Sequence, residues 1–272
     1  MRGSGPQCQT LCGIFGPMST TSMSLPAFGF VTVHEAPLAD GIAREAAWLA
    51  QVAATGRAAA QLWRGTPGFV VPRSYERRPR WDEARAASAA AGRPVQVRVS
   101  GGGLVPQGPG VLNLTLAWPA PADAPLGIDA IYRAFTDELA AAFERLEIEA
   151  SAQPVEGSFC DGRFNLAIDG RKCVGTAQAW RRIEGRQVVL AHAVIVATAD
   201  PRLLTEAANR FEDSTGGTAR YRVEALTSLA EAWRTAHGGA PPPADFEQLV
   251  VKVVAERFAR VVPPHVHSTP ET

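Results

Sequence analysis

The sequence predicts an α+β fold, a mixed β-sheet sandwich with packed helices. Three observations carry that expectation. Apolar residues repeat at three- and four-residue steps in some segments and alternate with a period of two in others. The two kinds of segment fall in uneven groups, unlike the regular alternation of a doubly wound parallel sheet. The chain has 272 residues, 46% of them apolar and 20% charged, enough to bury a substantial core.

Residues 1–25, rich in Gly, Ser, Thr and Pro, read as a disordered tail, so a start at Met18 or Met23 would remove nothing structured. A first helix is predicted from Asp40 to Ala54, with Ile42, Ala46, Leu49 and Ala53 on its buried stripe. Short strands follow at Gln61–Trp63 and Gly68–Val71, around the turn Gly65-Thr66-Pro67. An alanine-rich helix spans Trp81–Ala91 and stops at Gly92. Val95, Val97 and Val99 then alternate with polar residues up to three glycines, and Val111–Trp118 is the next strand. Ile131, Phe135, Leu139, Phe143 and Leu146 make Ile128–Leu146 an amphipathic helix. Phe164–Ile168 and Val174–Ala177 form a hairpin joined at Asp169-Gly170, and Val188–Ala197 is a nearly continuous apolar strand. The remainder reads as a helix at Leu203–Asn209, a polar loop at 211–220, and helices at Leu226–Ala236 and Phe246–Ala259. Pro241-Pro242-Pro243 sets off the last, so the main domain is drawn at 26–240 and a C-terminal helix and tail at 241–272.

Acidic and basic residues number 27 each, so no global field favours nucleic acid or an anionic membrane. No run of 18 apolar residues occurs and no apolar stretch follows Arg2 as a leader would require, so a soluble, cytoplasmic protein is expected. Cys8, Cys12, Cys160 and Cys173 give no disulfide framework. Cys8 and Cys12 lack a nearby His or Cys to complete a metal site, and none is expected. Of the basic residues 25 are Arg and two, Lys172 and Lys252, are Lys. In such a chain a Lys draws notice, because a compact, rotatable ammonium does what a planar guanidinium cannot.

Two segments could carry chemistry. Arg98-Val99-Ser100-Gly101-Gly102-Gly103 ends a strand in a backbone able to approach a ligand closely and aim several N–H groups at it. A triple glycine is also an ordinary flexible turn, and this one lacks the spacing of the familiar nucleotide loops. In the second segment, Cys160 sits among turn residues ahead of a hairpin whose far strand carries Lys172. A thiolate is the nucleophile of thiol chemistry and a neighbouring cation, Lys172 or Arg163, favours it. A structural Cys beside a surface Lys fits the spacing equally well.

Together these segments resemble the biotin/lipoate protein ligase superfamily, whose lipoate branch has an R-x-S-G-G stretch followed later by a D/E-G-R-K-x-x-G-x-A-Q run. Here they read RVSGGG at 98–103 and DGRKCVGTAQ at 169–178. Flanking fragments agree, in the family's order: LWRGTPGFVV at 62–71, GVLNLTL at 110–116 and RVEALTSL at 222–229. The resemblance covers residues 40–230 and implies a lipoate/biotin-ligase-like fold, with 26–240 as catalytic domain. It assigns Lys172 to the acyl carbonyl or adenylate oxygen. Arg98, Ser100, Gly101, Gly102 and Gly103, with Gly175, Thr176 and Ala177, would line the acyl and phosphate pocket. It implies an octanoyl or lipoyl group as substrate, and as partners lipoyl-domain carriers such as the glycine cleavage H protein and 2-oxoacid dehydrogenase E2 subunits.

Within the superfamily, SFCDGRFNLAIDGRK at 158–172 is similar to the Cys-dependent octanoyl transferases, which place Cys160 as the nucleophile and require neither ATP nor metal. Leu104 to Pro109 stand where many ligases have a His-Asp pair. That departure disfavours the alternative, an ATP- and Mg-dependent ligase acting through an acyl-adenylate. A carrier-binding homologue without turnover is the second alternative. His192, in VVLAHAVIV, reads as a core histidine more readily than a catalytic one. Cys173 is expected on the face opposite Lys172 as packing.

Overall fold

A computed structural model describes residues 28–29, 31–120, 127–160 and 162–261. The tail expected at 1–25, with Cys8, Cys12, Met18 and Met23, lies outside them. Strands β1 (Val31–Val33), β2 (Ala59–Arg64), β6 (Val111–Pro119), β7 (Ser151–Gln153), β8 (Asn165–Ile168), β9 (Arg171–Ile183) and β10 (Arg186–Val196) form a seven-stranded sheet in the order β1-β2-β6-β10-β9-β8-β7. It is antiparallel apart from the β1–β2 pair. A second sheet has the order β4-β3-β5, from β3 (Gly68–Pro72), β4 (Val95–Arg98) and β5 (Val105–Gln107). The helices are α1 (Gly41–Thr55), α2 (Trp81–Ala90), α3 (Ile128–Glu144), α4 (Pro201–Thr215), α5 (Leu229–Ala236) and α6 (Phe246–Ala259). Two sheets with unevenly placed helices are the α+β architecture expected.

Period-two alternation divides the large sheet between two interiors. On one face Leu112, Leu114 and Leu116 of β6 and Val189, Ala191, Ala193 and Ile195 of β10 pack against Phe135, Leu139 and Phe143 of α3, Leu229 of α5 and Val250, Val254 and Phe258 of α6. Helix α6, beyond the 26–240 span, thus shares this core. On the other face Ala117, Val188 and Leu190 pack under Leu49, Val52 and Ala53 of α1. A third cluster ties the small sheet to α2 and α4 through Phe69, Val71, Trp81, Leu104 and Phe211.

The structure departs from the sequence expectations where polar residues are buried. In α1 the buried face is Gly41, Glu45, Leu49, Val52 and Ala53, whereas Ala46 is exposed. Helix α4 continues through the expected polar loop to Thr215, because Glu212 and Thr215 are buried and partnered. Tyr75 donates to Glu212 Oε1, as does Tyr221 at 3.0 Å, and Arg78 Nη1 donates to Glu212 Oε2 at 2.5 Å and to Thr215 Oγ1 at 2.8 Å. Burial and the Glu212 carboxylate push the Tyr75 phenol up to about 12. Helix α5 begins only at Leu229, where the Ser228 hydroxyl accepts from the Glu231 N–H at 3.1 Å. Strands β5 and β7, three residues each, carry no alternation long enough to reveal them.

Candidate active site

The β8–β9 hairpin turns at Asp169 (φ 49°) and Gly170 (φ 74°), both in the left-handed region that a tight two-residue turn requires. One residue later the ladder bulges: Ala167 pairs with Lys172, but Leu166 pairs with Val174. The bulge interrupts the alternation from which Cys173 was expected opposite Lys172, and both residues border the same cavity. Cys173 is fully buried, and burial pushes its thiol up to about 12. The backbone of Lys172 is fixed from the other side, its carbonyl accepting from Thr227 N–H at 2.9 Å.

The Lys172 side chain is buried and donates from Nζ to the carbonyls of Phe159 and Cys160, the latter at 2.8 Å. Asn165 Nδ2 donates to the same Cys160 carbonyl at 2.7 Å. These bonds hold Cys160 at φ 54°, a conformation costing a non-glycine residue roughly 1–2 kcal/mol. Cys160 is half-buried. Arg163, the other cation considered for it, is instead exposed and paired with Asp129 at 3.1 Å.

The triple glycine closes over Cys160. Gly102 has φ 102°, and a Cβ there would fall 2.9 Å from both Cys160 Sγ and Arg98 Nη2. A Cβ on Gly103 would meet the Cys160 backbone N at 3.3 Å. Only glycines allow this approach. Arg98 is buried and braces the turn from inside, donating to Gly101 O at 2.8 Å, Gly103 O at 2.7 Å and Val70 O at 3.2 Å. Burial pulls its guanidinium below the ordinary range, partly offset by the nearby Cys160 and Glu45. With the carbonyls of Gly101 and Gly103 engaged, the amides of Gly101, Gly102 and Gly103 have no acceptor among the described residues.

A cavity with an open mouth lies at this point. Its wall includes Arg98, Gly101, Cys160, Lys172, Gly175, Thr176 and Ala177, with Val70, Val105, Val111, Val194 and Val196 making much of it apolar. The structure therefore brings most of the sequence-predicted site residues to one place. Ser100 does not face the cavity; its hydroxyl is drawn 2.8 Å from His192 Nε2. Gly102 and Gly103 act through their contact with Cys160.

Sequence reasoning overlooked Asn165 and Glu45. Neither stands out by type: Asn165 begins a strand, and Glu45 is a charged letter on a helix stripe otherwise read from its apolar members. His192, read as a core histidine, is buried with both ring nitrogens hydrogen-bonded, and it also borders the cavity beside Glu45 and Thr115. Where the ligases' His-Asp pair would fall, Gln107 forms a reciprocal amide pair with Asn113, at 2.8 and 3.1 Å. Among the described residues no helix is long and apolar enough to cross a membrane.

Comparison with known proteins places this geometry. An uncharacterized protein of Cupriavidus necator is 41% identical over 208 residues, covering 72% of this chain and 80% of the relative. An octanoyl-GcvH:protein N-octanoyltransferase of Kyrpidia tusciae is 35% identical over 210 residues, covering 73% and 71%. The structure of the T. acidophilum protein Ta0514 with bound lipoic acid superposes with a TM-score of 0.59 over 86% of each chain at 14% identity, a likeness of fold. The family model of the lipoyl protein ligase A/B catalytic domain matches residues 41–255. The cavity, its glycine turn and its buried lysine lie within that match, and the chain belongs to the lipoyl protein ligase A/B catalytic domain family.

Proposed function

We propose that this protein is an acyltransferase that moves an octanoyl or lipoyl group onto the lysine of a lipoyl carrier domain through a thioester on Cys160. One observation carries the reading: Cys160 sits in a strained turn at an apolar cavity, its carbonyl gripped by Lys172 and Asn165 and its thiol against Gly102. The relative from K. tusciae, an octanoyltransferase by name, supports the same chemistry.

In this mechanism the Cys160 thiolate attacks the acyl carbonyl of the donor carrier. The carbon–sulfur bond forms, and negative charge gathers on the carbonyl oxygen, where the Lys172 ammonium and the glycine amides stabilise it. As the carbonyl re-forms the carbon–nitrogen bond breaks, and the donor lysine leaves as an amine with the proton that the Cys160 thiol gave up. The acceptor lysine amine then attacks the thioester, the carbon–sulfur bond breaks, and the proton that the amine loses returns to the Cys160 sulfur. The acyl chain lies among the valines of the cavity, and carriers such as the glycine cleavage H protein or an E2 subunit present the lysines. No ATP or metal enters these steps.

Intact mass after incubation with an octanoylated carrier tests it. The expected result is a thioester-linked octanoyl adduct on Cys160, absent in Cys160→Ser, with transfer to an apo-lipoyl domain independent of ATP. Transfer that requires ATP and survives in Cys160→Ser establishes the ligase instead. Carrier binding without turnover establishes the non-catalytic homologue.

A further inference from the structure

Behind the glycine turn runs a buried chain of hydrogen bonds that the transfer mechanism does not use. Trp63 Nε1 lies 3.1 Å from Thr115 Oγ1, Thr115 Oγ1 lies 3.1 Å from Glu45 Oε1, His192 Nδ1 lies 3.1 Å from the same oxygen, and Ser100 Oγ lies 2.8 Å from His192 Nε2. Donor chemistry fixes its direction. An indole N–H can only donate, so Thr115 accepts from Trp63 and gives its own proton to Glu45. A carboxylate oxygen can only accept, so His192 Nδ1 carries a hydrogen. In a neutral ring His192 Nε2 is the acceptor, and the Ser100 hydroxyl donates to it.

Ser100, His192 and Glu45 thus have the connectivity of a hydrolase triad. Yet Ser100 is 2% exposed and is not among the residues lining the cavity, whereas Cys160 is. The arrangement also carries a cost. Glu45 is 3% exposed, and its Oε2 has no hydrogen-bond partner among the described residues, an expensive state for a buried acceptor.

We propose that Glu45, His192 and Ser100 form a positioning relay that ties the glycine turn to helix α1 and the large sheet, and so holds the turn against Cys160. Two anchors then grip one turn. Arg98 binds its carbonyls from within, and the relay binds Ser100, the residue just before the first glycine. In the transferase reading the consequence falls on the amides of Gly101–Gly103, whose worth to an oxyanion depends on placement to within an ångström. The proposal rests on the transferase reading for its catalytic consequence, but the tether itself is physical and measurable without it.

Hydrogen exchange of the 99–104 segment and steady-state transfer kinetics, both on the full chain, test it in Ser100→Ala, His192→Ala and the double variant. Each single substitution is expected to speed exchange at Gly101–Gly103 and to lower kcat by about tenfold or more, with the donor KM within about twofold, because misplacement costs the transition state. The double variant is expected to be no worse than the poorer single, since residues of one chain act as a unit. Ser100→Thr, which keeps the hydroxyl, should recover most of the loss. Unchanged exchange in both singles overturns the relay even if no transfer is detected in any form. Additive losses, a change confined to KM, or a fluorophosphonate adduct on Ser100 would also overturn it, the last by making Ser100 a nucleophile.

Discussion

The two faces of the seven-stranded sheet are both buried, yet they are built on opposite principles. On the α3/α5/α6 side the strands contribute Leu112, Leu114, Leu116, Val189, Ala191, Ala193 and Ile195, with no polar group to satisfy. On the cavity side the same two strands contribute Asn113, Thr115 and His192 among valines, each polar side chain hydrogen-bonded to a named neighbour. The first face stabilises by area removed from water, tolerating any well-packed apolar set. The second specifies geometry, because a buried polar group is tolerated only where its partner stands. A substitution should therefore damage stability on one face and chemistry on the other.

The largest expected effect tests the first face. Phe135→Ala, at a side chain 1% exposed, should lower unfolding stability by about 3–5 kcal/mol, read from denaturant melts, while transfer well below the melting temperature stays near normal. Loss of transfer without loss of stability would erase the distinction. Next, Lys172→Met removes the proposed oxyanion donor and should cost about 10²–10³-fold in kcat. A stopped-flow measurement showing normal acyl-enzyme formation would show that the ammonium serves only the backbone of Cys160. Asn165→Ala removes one of two clamps on the strained Cys160 carbonyl and should cost about tenfold, roughly the ~1.4 kcal/mol of one hydrogen bond, with Lys172 still in place.

The smallest effect concerns Cys173. Its folded thiol titrates at about 12, against about 8.5 for an unfolded cysteine. The folded chain therefore keeps a proton that the unfolded chain releases, so this contribution is full below about pH 8.5 and declines as pH rises toward 12. Cys173→Ala should flatten part of the alkaline slope in melts at pH 8–11. At pH 8 iodoacetamide should label Cys160 and leave Cys173 unmodified; equal labelling, read by peptide mass, would show the bulge open to solvent.

Much of the fold was legible because burial of apolar side chains leaves a period in the sequence. The strand read at Val111–Trp118 and the helix at Phe246–Ala259 were found that way, and the hairpin from its Asp169-Gly170 turn. Apart from strands too short to alternate, the errors in the helices share one cause. Glu45, Glu212 and Thr215 are polar letters with buried positions, and a pattern reader assigns such letters to solvent. At the site, Cys160, Lys172 and the glycines were legible as residue types with chemistry, but Asn165 was not, because an asparagine acquires its role only from the carbonyl it faces.

The sequence by itself determined most of the longer helices and strands, and which glycines, which thiol and which ammonium were available, since these follow from side-chain shape and local spacing. Only the tertiary structure decided that α1 brings Glu45 under His192, that β10 brings His192 to Ser100, and that a one-residue bulge brings Lys172 to the carbonyl of Cys160. Contacts across 92 or 147 positions of chain leave no periodic trace. They exist because the described sheets and helices, in burying their apolar faces together, also bring these polar groups side by side.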